Sequence, residues 1–127
     1  FVSLVAPAIA MGNRVVAVPS EAHPLAATDF YQVLETSDVP AGVVNIVTGS
    51  AETLATTLAE HDDLDAVWAF GSKALAEKVE RASVGNLKRT FTDGGLAVDW
   101  ASEEACEGEV ILRHAVSVKS VWIPWGE

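Results

Sequence analysis

The feature that most constrains this chain is an alternation of short β-branched runs with stretches of helical spacing, each run closed by a turn. The runs are RVVAV (residues 14–18), GVVNIV (42–47), LDAVWAF (64–70) and LKRTFT (87–92). The first is short and mostly apolar, as a parallel strand covered on both faces should be, and is expected to be central. Helices are predicted within residues 1–11, from Pro24 to near Ser37 with Leu25, Thr28, Val33 and Leu34 as its apolar stripe, over 52–60 and over 72–83. This rhythm predicts an α/β fold, a doubly wound parallel Rossmann-like sheet. Ligands of such sheets sit at the carboxyl ends of the strands, so function is to be sought in the turns after Val18, Val47, Phe70 and Thr92.

A chain of 127 residues is long enough for one domain with a real core. Its opening, FVSLVAPAIAMGN, has an apolar run but no basic start. It reads as the end of a helix capped at Gly12-Asn13, and the chain as a piece of a longer one. Eighteen acidic against eight basic residues give a net charge of −10, a field that repels nucleic acid and anionic membranes. Neither is an expected partner. Cys106 is the single cysteine, which excludes an internal disulfide and makes a reducing, cytoplasmic setting the expectation. His23, His61 and His114 have no ligand spacing, so no metal site is expected.

The end of the chain leaves the rhythm. SEEACEGEVILRHA (102–115) has helix-like acidic residues early and basic ones late, and VSVKSVWIP (116–124) is a strand-like run with no helix after it. Val116, Val118, Val121, Trp122 and Ile123 are expected to form an interface strand paired with another module or subunit. The chain therefore divides into a Rossmann-like domain, residues 1–100, and a helix plus C-terminal oligomerisation strand, residues 101–127.

Four strings in series, APAIAMGNRVVAVPSEAHPLAA, VPAGVVNIVTGS, DAVWAFGS and NLKRTFTDGG, resemble the cofactor domain of the aldehyde dehydrogenase superfamily in order and in near spacing. The terminal VSVKSVWIPWGE is similar to that family's oligomerisation strand, although the catalytic domain that normally lies between is missing. This skip resembles the truncated second module of the two-module members, often called family sixteen.

The resemblance assigns roles residue by residue. A lysine before the Pro-Ser-Glu turn would bind the adenosine ribose together with the glutamate; this chain has Val18 at the lysine position and keeps Glu21. Gly49 closes the second strand. Gly71 and Ser72 stand where the pyrophosphate would meet a helix start, but Ala76 replaces the second glycine of that pattern. Ser72 also reads as a plain N-cap, and Glu21 as a solvated carboxylate at a helix start. The family's general base, two residues before the Gly-Gly pair, falls on Thr92, which cannot take a proton, and Asp93 is one position off. Cys106 comes too early for the family's nucleophile and sits among Glu103, Glu104, Glu107 and Glu109.

The resulting expectation is a non-catalytic aldehyde-dehydrogenase-like domain with a degenerate site at Glu21, Gly49, Gly71 and Ser72 and no tightly bound cofactor, NAD(P) entering by resemblance only. Its expected partners are the catalytic aldehyde dehydrogenase module of a longer parent chain and further copies in a homo-oligomer. Two alternatives stay open: a weak nucleotide-sensing module, or part of a working oxidoreductase whose catalytic residues lie outside this chain.

Overall fold

The computed structural model describes residues 1–96, 98–106 and 109–126. Elements follow in the order α1 (Val2–Ala10), β1 (Val15–Ala17), α2 (Leu25–Asp29), α3 (Tyr31–Glu35), β2 (Val44–Ile46), α4 (Ala51–Glu60), β3 (Ala66–Ala69) and α5 (Lys73–Ala82). A 3-10 turn, Ser83–Asn86, then leads to β4 (Arg89–Thr92), α6 (Glu103–Cys106) and α7 (Glu109–His114). The predicted α/β fold with parallel strands is present. β1 and β2 run parallel with Val16 opposite Asn45, and β3 and β4 run parallel with Val67 opposite Thr90.

Two details depart from the sequence expectation. The strands form two separate pairs rather than one continuous ladder among the described residues. The helix expected from Pro24 to Ser37 is two short ones that meet at Phe30, whose ring packs edge-on against Phe1 with centroids 5.8 Å apart. The tail of Val116, Val118, Val121, Trp122 and Ile123 is expected to pair with another module or subunit; within this chain the described residues after Ala115 carry no regular structure. A strand exists only against a hydrogen-bonded neighbour, and among the described residues no ladder pairs the tail with β1, β2, β3 or β4. Within the stretch read as a terminal helix, residues 107 and 108, including Glu107 named above, lie outside the described residues, as does Glu127.

The core sits under the second strand pair. Val67 and Ala69 alternate toward α4 and α5, where they meet Ala59 and Val79 with Ala55, Leu75 and Ala82 around them. Leu75, Val79 and Ala82 recur at helical spacing, which lays one stripe of α5 on the sheet. On the opposite face Trp68 and Phe70 pack edge-on against Phe91, Trp100 covers Phe70, and His114 of α7 stacks on Phe91 with centroids 3.6 Å apart.

Buried Lys88 closes the lower end of this half. Its ammonium donates to the carbonyls of Ala59 and His61 at 2.6 and 2.5 Å, acceptors that the end of α4 leaves without helical partners. The tail starts from a fixed point. Asn13 donates through Nδ2 to the carbonyls of Ala8 and Ala115, and the Arg89 guanidinium donates to those of His114 and Val116. Beyond it the side chains are bare, with Trp122 91% and Trp125 100% exposed.

Candidate functional site

The turns at the carboxyl ends of the strands carry the residues singled out from the sequence. After β1, exposed Glu21 turns its carboxylate to the start of α4, where it accepts the Ala51 N–H at 2.5 Å. That places Glu21 beside the turn that follows β2. Gly49 stands there with φ +157°, and a Cβ on it would approach Leu54 Cδ1 to 3.1 Å, so glycine suits both the backbone and the packing. Ser50 then caps α4, its hydroxyl accepting from Thr53 N–H at 3.4 Å.

The turn after β3 repeats this arrangement. Gly71 precedes Ser72, which is the N-cap of α5 and accepts from Leu75 N–H at 3.2 Å. Ala76 is buried one turn further along α5. The two helices are tied across their exposed faces by Lys78, whose ammonium donates to Glu52 at 2.8 Å. This hydrogen bond, followed by the charge of Lys78, holds the Glu52 carboxyl below its ordinary pKa.

The turn after β4 closes onto α5. Thr92 donates its hydroxyl proton to Glu80 Oε1 at 2.6 Å, while the Asp93 carboxylate accepts Gly95 N–H at 3.0 Å. Gly95 lies so close to the first residue of α5 that a Cβ would stand 2.6 to 2.7 Å from Lys73, including its backbone. No side chain larger than hydrogen fits there without moving the turn.

The structure thus brings Glu21 to the start of α4 beside Gly49, and Gly71 and Ser72 to the start of α5 beside Gly95. Val18 is half-buried and aliphatic, and offers neither charge nor donor. Cys106 lies elsewhere, its thiol 3.1 Å from the Trp100 carbonyl. Among the described residues no three His, Cys, Asp or Glu side chains converge in a way that could hold a metal. The interface candidates Val118, Val121, Trp122 and Ile123 are exposed, and Val116 is half-buried at the tail's anchor. Sequence reasoning missed Glu80 and Ser50. Ser50 carried a readable signal, a serine directly before a helical stretch; Glu80 carried none, since its partner is twelve residues away.

A profile of the aldehyde dehydrogenase family matches residues 1–97. The chain is 38% identical over 91 residues to betaine aldehyde dehydrogenase of Bacillus subtilis (strain 168), covering 72% of this chain and 19% of that one. It is 38% identical over 118 residues to 2-hydroxymuconic semialdehyde dehydrogenase of Pseudomonas putida, covering 87% and 24%. The crystal structure of an aldehyde dehydrogenase C mutant from Pseudomonas syringae, complexed with NAD+ and octanal, superposes with a TM-score of 0.68 at 38% identity. That match covers 71% of this chain and 19% of the other. The chain spans about a fifth to a quarter of the length of these relatives.

Proposed function

The chain belongs to the aldehyde dehydrogenase family, and from that premise we propose that it is a non-catalytic part of an NAD(P)-dependent aldehyde dehydrogenase with an architectural role. One observation carries the reading. At the position where the resemblance puts the general base stands Thr92, whose hydroxyl is spent as a donor to Glu80. A general base must accept a proton from the attacking water or thiol, and this group is neither ionised nor free to do so.

The residues present do not fit a tightly held dinucleotide. Val18 supplies no donor to a ribose, Glu21 already accepts the Ala51 N–H, Ser72 caps its own helix, and Ala76 fills the place of a second glycine. The partners of this reading are the catalytic module of a longer parent chain and further copies of this one, gripped through Val116, Val118, Val121, Trp122 and Ile123. The bare tail supports it, because aromatic and β-branched residues are common interface anchors. The same reading extends to a second module of the two-module type working in the cytoplasm.

Titration of NAD+ into the full chain by calorimetry tests the site. Binding no tighter than roughly millimolar, about 4 kcal/mol, is expected, with no aldehyde turnover. Low-micromolar binding, or turnover lost in Cys106→Ala, overturns the reading. Light scattering tests the tail: ending the chain after Ser117 is expected to dissociate a defined oligomer, and equal monomers with and without the tail remove the oligomeric role.

A second reading, a weak nucleotide-sensing module, is favoured by Gly49 and Gly71, which keep backbone conformations that L side chains rarely adopt. Val18→Lys combined with Ala76→Gly is expected to raise NAD+ affinity if those turns still have the shape of a dinucleotide site.

A further inference from the structure

Asp93-Gly94 is the chain's single step from Asp or Asn into glycine. Attack of the main chain on an aspartyl side chain needs an unhindered nitrogen in the next residue, and every other aspartate here precedes a residue with a side chain. The fold adds to this sequence feature. Gly94 and Gly95 have φ +62° and +82°, and Leu96 N–H donates to the Asp93 carbonyl at 3.0 Å, which makes a type I′ turn. Asp93 Oδ1 accepts Gly95 N–H at 3.0 Å, so the carboxyl is folded back along the stretch of main chain that holds the Gly94 nitrogen. The two glycines have opposite surroundings. A Cβ on Gly94 would meet nothing within 4 Å, which leaves that residue open to water, whereas Gly95 lies against Lys73.

We propose that Asp93-Gly94 is a modification site at which the main chain rearranges spontaneously to an isoaspartyl linkage, and that this change detaches the exit turn of β4 from α5. The Gly94 nitrogen attacks Asp93 Cγ, and the new C–N bond closes a succinimide. A carboxylate oxygen leaves as water, carrying the amide proton and a proton from solvent. Water then opens the ring at either carbonyl carbon. Opening at the original main-chain carbonyl leaves the chain running through Cβ and Cγ, frees an α-carboxylate and returns a proton to solvent. Mass and oxidation state are unchanged. The rearranged main chain gains Cβ as an extra link, and the two oxygens that hold Leu96 and Gly95 change places in the covalent frame. The turn has no slack to absorb this, because Gly95 already stands where a Cβ would come within 2.6 Å of Lys73. Thr92, bonded to Glu80, keeps the end of β4 on α5, so the change falls on the turn and not on the strand.

The test is to age the full chain in neutral buffer and map isoaspartate by electron-transfer fragmentation of its peptides. Isoaspartate is expected to accumulate at Asp93 while Asp65 and Asp99 stay unchanged, and to be lost in Asp93→Glu, whose longer side chain closes a less favoured ring. In the aged fraction, amide exchange at Gly95 and Leu96 is expected to quicken by about tenfold, as their hydrogen bonds to Asp93 are lost. No accumulation at Asp93 overturns the proposal. So does equal accumulation at Asp65 and Asp99, which would trace the reaction to unfolded chain, and so does an isomerised chain whose Gly95 and Leu96 exchange at the unaged rate. Should Asp93→Glu fail to fold, Asp93→Asn keeps the side chain's shape and closes the same ring with loss of ammonia. It must then show both isoaspartate and the amide-to-acid mass change at this position, and the absence of either counts against the site. None of these readouts involves nucleotide or turnover, so they stand or fall separately from the non-catalytic reading.

Discussion

Helices α4 and α5, ten residues each, start on serine caps and close over Val67 and Ala69, whereas α2 and α3, five residues each, have no side-chain cap and leave Leu25 and Val33 exposed. The strands differ in the same sense. Val67 in β3 is 8% exposed, while Val16 in the middle of β1 is 42% exposed. Both halves follow one plan of strand, turn and helix, so the difference does not come from topology. It comes from which helices cover each strand: α4 and α5 both lie against β3, α1 lies against β1, and the short α2 and α3 pack mainly on each other. Backbone ladders alone add little once their residues stay wet. The consequence reaches the site: the turns bearing Gly71, Ser72 and Gly95 are mounted on the firmer half, and Glu21 hangs from the looser one.

The contrast breaks first if core truncation costs the two halves equally. Val79→Ala is expected to lower unfolding free energy by about 2 to 3 kcal/mol, through lost burial and the cavity it leaves. Val16→Ala is expected to cost under about 0.5 kcal/mol, as at other half-wet positions. Urea midpoints read both, and equal shifts would erase the distinction.

Lys88→Met sharpens it. Removing the ammonium leaves the carbonyls of Ala59 and His61 at the end of α4 without their donor, at a cost of about 1 to 3 kcal/mol. Exchange should quicken in the last turn of α4 before it changes in α1. A variant as stable as the parent would mean that the helix end is satisfied in another way.

The smallest effect is expected from Lys78→Ala, which leaves an exposed Glu52 without its partner. The hydrogen bond and charge of Lys78 lower the folded-state pKa of Glu52 relative to the unfolded chain. The pair's contribution is therefore complete above the ordinary carboxylate pKa of about 4.3 and disappears as pH falls through the depressed value. The variant's midpoint should lie close to the parent's at neutral pH, as for most exposed pairs, and converge with it in acid. A gap that widened toward low pH would contradict this sign.

Much of this arrangement was legible in the residue pattern. β-branched runs ended by Pro19, Gly49, Gly71 and the Asp93-Gly94-Gly95 turn place the strands and their exits, because these residues act through local backbone conformation. The cap at Ser72 is likewise local. What was hidden is what depends on approach in space. Glu21 and Ala51 are thirty residues apart, Lys88 and Ala59 twenty-nine, and no spacing rule pairs them. The break at Phe30 was hidden for the same reason, since its ring packs on Phe1 at the far end of α1. The tail was read as a strand from its β-branched pattern and from the resemblance, and its expected neighbour lies in another module or subunit, which this chain does not contain.

The bonds from Asn13 and Arg89 to the carbonyls of Ala115 and Val116 have a further meaning as a tether. They fix one end of residues 117–126, whose fully stretched reach is about 35 Å. Whatever grips Trp122 or Trp125 is thereby confined to a small volume around the amino ends of β1 and β4. A second, weak contact made anywhere within that radius then works at an effective concentration in the millimolar range. Two individually feeble attachments would hold together as one firm one, and loosening both Arg89 and Asn13 would lengthen the leash and dilute the second contact without touching either binding surface.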